Sequence, residues 1–509
     1  MENRKRFLYN GIMLTAVGIA MRTVALFFNA FVTQKIGAEG MGLYTIVMTV
    51  YGFAVTFATS GISLTVTRLV ASAKGEGRED DTRAILVGAI LYALAFSLIA
   101  TLVLFFGASF IASRILDDIR AAHALRILAP SLIPLSLVSV FSGYFVGVRR
   151  VSCNAVTQIL GQVFKICATV WLVIRAVPMN VEDAALALSL GATVTEILAF
   201  LVIFIEFLID RRRARAVEQK GGASVREVAE MAVPLGVSAY IRQALLTLEH
   251  ILIPKRLRDR GDTLSESLSA YGTLHGMALP MILYPMVTLS SFSGLLVPEF
   301  AERSASGKDD SMRRIASRAF ELTLVYAILS SVVLFIFSEE IGYVIYDSSY
   351  AGKYVSVLAP VIPIMYLDHV TDSVLKGIGE HVYSMWVNIT DSLLSVALVW
   401  ILIPKMGIMG YAVCIIAMEG YNFILSAHRL FKRIKFRISM TDAIAFPLVS
   451  ALVSAILVKR LFISAGMQTS PLWLALEIVF SVCVFFGIYR AILLVRDLWN
   501  AKINGKCNL

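Results

Sequence analysis

The feature that most restricts this chain is a recurrence. Stretches of mostly apolar residues, each long enough to cross a bilayer as a helix, follow one another from end to end. A spanning helix needs roughly 20 such residues at a rise of about 1.5 Å each. Runs of that kind fall at about 8–33, 42–67, 84–107, 124–148, 153–176 and 184–209. They resume after a basic break at about 228–253, 269–297, 315–337, 354–376, 383–403 and 408–428, and two more lie at about 441–463 and 472–495. Of the 509 residues 58% are hydrophobic and 16% charged. A single soluble core stops growing at roughly 250–300 residues, so lipid must cover the remaining apolar surface. The expectation is an all-α polytopic membrane protein of about fourteen transmembrane helices.

The net charge of +10 does not point to nucleic acid, because the cations sit in short loops rather than on one folded face. With the N-terminus inside, about 30 Lys and Arg fall in inside segments and about 13 outside, the asymmetry expected of cytoplasmic loops. Both termini are therefore expected in the cytoplasm, with the chain in the cytoplasmic membrane. The outside loop Lys255 to Arg260 runs against the rule. Basic Arg4, Lys5 and Arg6 lead into an apolar run too long for a cleaved signal core, which reads as a retained first helix. The five cysteines are scattered without zinc-site spacing.

The sequence repeats itself. Leu128–Pro134 (LAPSLIP) returns as Leu358–Pro363 (LAPVIP), about 230 positions later. The same offset pairs Leu104–Leu116 with Leu334–Tyr346 and sets the stripe Asn154, Gln158, Gln162 on Ser384, Asn388, Ser392. An offset of about 220 sets Arg22 on Arg242. Six helices per unit return the chain to its starting side, so the repeats should be parallel. This gives an N-terminal six-helix lobe (1–210), a basic cytoplasmic linker (211–226), a C-terminal six-helix lobe (227–430) and two extra helices with a tail (431–509).

Ionisable groups inside a bilayer cost at least about 2.5–3.5 kcal/mol each at its centre and persist where they face a wet cavity or a partner. Arg22 and Arg242 both fall near mid-depth. Facing a cleft between the halves they would suit an anion, since guanidinium binds phosphate oxygens bidentately; the bland reading is an ion pair between helices. Asn29 and Glu249 lie two turns beyond these arginines, and His250 and His275 are further polar groups within apolar runs. Asp368, Asp372 and Lys376 recur every four residues on one face, as do Gln158, Gln162 and Lys165 at similar spacing. The two aspartates are candidates for a coupling ion, with Glu249 a third. Glu196 and Glu419 occupy corresponding places in the sixth and twelfth helices. Pro130, Pro134, Pro280, Pro285, Pro360 and Pro363 lie inside expected spans and mark kinks. No glycine-rich phosphate loop, His-Glu-x-x-His site or G-x-S-x-G turn is found, so an enzyme is not expected and no cofactor is implied.

Ile36–Ile46 (IGAEGMGLYTI) and Ser60–Ala71 (SGISLTVTRLVA) resemble the start of the stage V sporulation protein B family. Thr247–Leu257, Ser269–Pro280 and Ser291–Glu302 look like second-half segments of the same relatives. These belong to the polysaccharide-transporter branch of the multidrug/oligosaccharidyl-lipid/polysaccharide exporter superfamily. The resemblance implies a flippase for an undecaprenyl-linked saccharide, such as a peptidoglycan precursor; sodium, protons or the membrane potential are candidate driving forces, and envelope-synthesis proteins candidate partners. It also implies cavity arginines, one on the first helix, which Arg22 matches by helix and depth. Arg242 sits on helix seven where such flippases carry one on helix eight, and Arg68 matches a further one. Two alternatives remain open: a cation-coupled multidrug antiporter of the same fold, and a scaffold for envelope synthesis without transport of its own.

Overall fold

The computed structural model describes residues 2–76, 81–175, 180–213, 225–465 and 470–503. Among these the regular structure is helical throughout, without a strand. In chain order the helices are α1 (Glu2–Thr59), α2 (Ile62–Gly75), α3 (Asp81–Phe110), α4 (Ala121–Leu128), α5 (Leu132–Gly147), α6 (Val151–Arg175) and α7 (Val181–Arg213). There follow α8 (Val225–Arg260), α9 (Leu264–Tyr271), α10 (Leu279–Leu283), α11 (Met286–Ala305), α12 (Asp309–Ile336), α13 (Ser338–Tyr346) and α14 (Ser349–Leu358). The last are α15 (Ile362–Gly377), α16 (His381–Met406), α17 (Ile408–Arg433), α18 (Phe446–Ser464) and α19 (Pro471–Ile503). Residues 214–224 of the expected linker and the tail beyond 503, Cys507 included, lie outside the described residues.

Eleven described helical stretches are long and apolar enough to cross a membrane, or up to 13 when each of two bent pairs is taken as one span. The expected count of fourteen is not reached by this measure. The first two apolar runs account for the difference, since they merge into one candidate span, Ala20–Lys74. Within α1 the chain turns at Gly37 (φ 74°, ψ 176°), a conformation open to glycine and strained for other residues. Large side chains such as Phe106 (75% exposed), Phe110 (64%) and Leu494 (61%) stand on outer helix faces. Apolar surface on this scale needs acyl chains to cover it. The protein is a multi-pass membrane protein.

The internal repeat is visible in backbone detail. A 3-10 turn at Ala129–Ser131 joins α4 to α5, and its counterpart Ala359–Val361 joins α14 to α15. Pro363 has no N–H to give the Ala359 carbonyl. That oxygen instead accepts from the Ile362 amide and from the Ser331 hydroxyl at 2.8 Å. In the first half the Ala129 carbonyl accepts from Thr101 at 3.0 Å, the position equivalent to Ser331. Asp117 and Asp347 both adopt positive φ (53° and 52°), as do Arg149 and Gly379 (62° and 86°). Neighbours meet freed carbonyls elsewhere too: at the bend between α10 and α11, Tyr326 and Tyr366 donate to the Pro285 and Ile282 carbonyls. Such donors are what make helix breaks tolerable in lipid.

Packing divides the chain into two compact units, one comprising Met1–Gln34, Thr273–Ser395 and Ile408–Leu509, the other Lys35–Gly272 and Val396–Gly407. Each therefore draws helices from both sequence repeats. In the second unit Val66, Val70, Ala89 and Val140 form a core where α2, α3 and α5 meet. In the first unit the residues 230 positions on, Leu296, Phe300, Ala319 and Val370, form the matching core of α11, α12 and α15. Lipid tails are as apolar as leucine, so close packing must hold such helices together. Glycines provide it: Gly143 and Gly147 lie against Ser63, Val66 and Val70, and Gly377 against Val297 and Phe300.

Candidate functional site

In the first unit three neighbouring helices place four carboxylates together inside the membrane span. Asp368 and Asp372 stand one turn apart on α15, Asp391 is on α16 and Glu419 on α17. Asp368 lies within electrostatic reach of the other three. Its Oδ1 is buried without a hydrogen-bond partner among the described residues, while the nearby Ser426 hydroxyl donates to Asn422 at 3.3 Å. The Ser384 hydroxyl donates to Asp372. Lys376 forms an ion pair with Asp372 at 2.5 Å, and His369 faces the same groups. Four carboxylates held this close in a poorly solvated place are costly to keep charged together. No group of three or more His, Cys, Asp or Glu is arranged to hold a metal ion among the described residues.

The spacing of Asp368 and Asp372 brings out half of this cluster. Asp391 is not singled out by the sequence, although a lone carboxylate in the apolar run 383–403 is a usable signal. Glu419 is legible only as the partner of Glu196. The second unit has a different arrangement at the matching place: Glu196 on α7 is accompanied by Lys165 on α6, each acting on the other's charge. The residue 230 positions after Lys165 is Ser395, which contacts Cys414 at 3.4 Å and brings no charge. One repeat has a compensated carboxylate and the other an acidic cluster.

The remaining candidates are distributed as follows. Arg22 is an exposed residue of α1 in the first unit, and Arg242 and Arg68 are exposed residues of α8 and α2 in the second. Beside Arg22, Thr23 hydrogen-bonds to Tyr284 at 2.7 Å. Asn29 donates to the Gly276 carbonyl at 3.0 Å and to the Tyr346 hydroxyl at 3.4 Å, so its amide ties α1 to its neighbours. Glu249 and His250 are buried, 8% and 5% exposed, and His250 Nδ1 is hydrogen-bonded to the Tyr271 hydroxyl at 3.0 Å. His275 lies in a π-helical turn, Gly272–Ala278, between α9 and α10.

Comparison with known proteins agrees with this architecture. The model of a family described as polysaccharide biosynthesis protein matches residues 7–304, and the MatE model matches 265–401. The chain is 27% identical over 425 residues to stage V sporulation protein B of Bacillus subtilis (strain 168), covering 81% of each. It is 19% identical to sporulation protein YkvU of the same organism, over 76% of this chain and 87% of the relative. Among solved structures, the lipid II flippase MurJ in an inward closed conformation superposes with a TM-score of 0.71 at 15% identity, covering 96% of this chain and 99% of that one. An inward-facing multidrug resistance transporter of the MATE family gives 0.67 at 12% identity, over 83% and 98%.

Proposed function

Since the chain belongs to the polysaccharide biosynthesis protein family, which matches it over residues 7–304, we propose that it is a transporter rather than an enzyme, and that it flips an undecaprenyl-linked saccharide across the cytoplasmic membrane. One observation carries the choice of cargo. The MATE transporter covers 83% of the chain, whereas the lipid II flippase covers 96%. The larger figure cannot be reached without most of α18 and α19, so the likeness extends to the two helices beyond the repeats.

Arg22 supports the same reading, as an exposed guanidinium within a membrane span and a bidentate match to a diphosphate. Arg242, Arg68, Asn29, Lys165, Glu249, His250 and His275 are the further groups we assign to the cargo's path. The acidic cluster around Asp368 and Asp372 would take the coupling cation, sodium or a proton, with Glu249 a further candidate and the membrane potential as another driving force. Access would alternate between the two sides as the repeats rearrange. Both termini would face the cytoplasm, where envelope-synthesis proteins would meet the transporter.

The test is transport of a fluorescent undecaprenyl-diphosphate saccharide in proteoliposomes, read by a reagent confined to one side. The wild type should expose the label, and Arg22→Ala should slow exposure at least tenfold. Unchanged flipping in that variant would remove the phosphate grip from the account. The acidic cluster and the MatE match over 265–401 favour a second reading, a cation-coupled multidrug antiporter; export of a cationic dye without saccharide flipping would select it. If neither cargo moves, a scaffold for envelope synthesis is the reading left.

A further inference from the structure

In the second unit α6 and α7 run antiparallel, and small side chains fix their register. Gly191 lies against the Thr169 side chain, and a Cβ on Gly161 would stand 3.8 Å from that of Ala199. Thr157 donates to Glu206 at 3.3 Å. Between these contacts the register brings Lys165 level with Glu196, each midway along a helix apolar enough to cross a membrane. Tyr51 of α1 lies within electrostatic reach of Glu196, with its hydroxyl bonded to Ser131 at 2.6 Å. In the second repeat Ser395 meets Cys414 and the Tyr421 hydroxyl donates to Thr390 at 3.2 Å, so Glu419 comes level with Asp391, whose charge it feels. Opposite its glutamate the first repeat has an ammonium and the second a carboxylate.

Lys165 is also the inner end of a polar stripe. Gln158, Gln162 and Lys165 share one face of α6, which begins on the cytoplasmic side in the topology read from the sequence. Gln158 is exposed, and Gln162 and Lys165 are partly exposed. A pair kept for stability alone has no use for such an approach, because a buried ion pair contributes little beyond what apolar side chains of similar volume give. Two amides followed by an ammonium offer N–H donors to a phosphate and its attached hydroxyls. Lysine binds phosphate as a compact point charge.

We propose that Lys165 is a binding subsite for the phosphate of the lipid-linked cargo, and that Glu196 is its built-in competitor, sharing the ammonium with the phosphate and so keeping the grip weak. The inference rests on the transport reading and adds to it a role for Glu196. An unpaired ammonium at this depth is costly, so Lys165 requires an anion before the cargo arrives and after it leaves. Glu196 supplies it. While phosphate is bound, the two anions repel each other across one cation, which hastens release. A carrier needs both properties, since binding must be strong enough to admit the cargo and weak enough to let it go. In the second repeat Asp391 stands opposite Glu419 and repels a phosphate, so the subsite belongs to the first repeat.

The experiment measures binding of radiolabelled undecaprenyl diphosphate to the full chain in phosphatidylcholine nanodiscs. Glu196→Gln removes the competitor at nearly constant shape and should tighten binding at least fivefold, with slower dissociation. Lys165→Met should weaken binding at least fivefold, and Lys165→Arg should retain most of it. A purely structural pair predicts weaker binding in both neutral variants, so unchanged or weaker binding in Glu196→Gln overturns the proposal. Should that variant misfold, Glu196→Asp keeps the charge but withdraws it by one methylene and should tighten binding at least twofold; no gain there refutes the competition equally. A bilayer phospholipid offers the same phosphate chemistry. Repeating the series with a third of the phosphatidylcholine replaced by phosphatidylglycerol separates the two sources. The difference between wild type and Glu196→Gln should persist, and its loss would assign Lys165 to a headgroup and defeat the cargo subsite. A wild type without affinity for the probe removes the transport reading and the subsite together, whereas a wild type that binds while Glu196→Gln binds no tighter removes the subsite alone.

Discussion

The Arg429 guanidinium donates to both carboxylate oxygens of Glu380, at 2.8 and 3.1 Å, and packs 5.1 Å from the centre of the Tyr383 ring. Arg433 reaches the same carboxylate at 2.5 Å. The equivalent place in the first half has an ion pair of opposite sense, with Arg150 on the loop and Asp210 at the end of the sixth-span helix. Tyr144 donates to that Asp210 at 2.7 Å. The repeat has kept the bond and exchanged the signs. A joint between consecutive spans needs charges that attract, and either order supplies that.

Glu380 also sets an acid limit on stability. The Arg429 hydrogen bonds hold its carboxyl below the ordinary value near 4.5. A folded-state value that is depressed contributes stability above the unfolded value, and this is lost as pH falls through the folded one. Thermal unfolding of the purified protein between pH 6 and 3.5 should therefore show a fall below about pH 4.5 that is smaller in Glu380→Gln. At neutral pH that variant should be less stable by about 1 kcal/mol, since the pair is only partly shielded. Equal pH profiles would remove Glu380 from this role.

The acidic cluster should separate function from stability. Asp368→Asn or Glu419→Gln removes one carboxylate from a place where burying charge is costly. Each variant should unfold at the wild-type temperature or above it, while saccharide flipping falls at least tenfold. A merely structural cluster would lose both together. Paired measurement of melting and flipping decides.

Glycine contacts should not be equivalent between repeats. A Cβ at Gly377 would stand 2.8 Å from the Phe300 Cβ and 2.9 Å from the Val297 carbonyl, whereas at Gly147 the nearest atoms are Val70 side-chain carbons at 3.0 Å. Backbone cannot yield as a side chain can. Gly377→Ala should cost about 1–3 kcal/mol and Gly147→Ala less. Melting temperatures in one detergent would show the order, and a reversed order would refute the packing argument.

The hydroxyls at the 3-10 turns should act as local caps. Ser331→Ala and Thr101→Val each remove one donor to a carbonyl at a helix break, at a cost of about 1 kcal/mol apiece. The two sites lie in different units, so the double variant should show the sum. Strong departure from additivity would mean that the two breaks are coupled.

The chain's order of residues was enough for the membrane assignment, the kinked spans and the duplication. Apolar length, proline spacing and the return of LAPSLIP as LAPVIP are one-dimensional signals, and each maps onto a local backbone event such as the 3-10 turns. Asp368 and Asp372 were legible for the same reason, because they share a face of one helix. The approach of Asp391 and Glu419 to that pair and the Glu39–Arg120 bond were not, since they join segments far apart in sequence and follow only from how helices rotate and pack. Packing also decided which segments form a compact unit, drawing α8 and α9 to the first-half helices. Hydropathy records how deep a helix sits in lipid; its neighbours are chosen by side-chain fit and charge, which no single stretch of sequence contains.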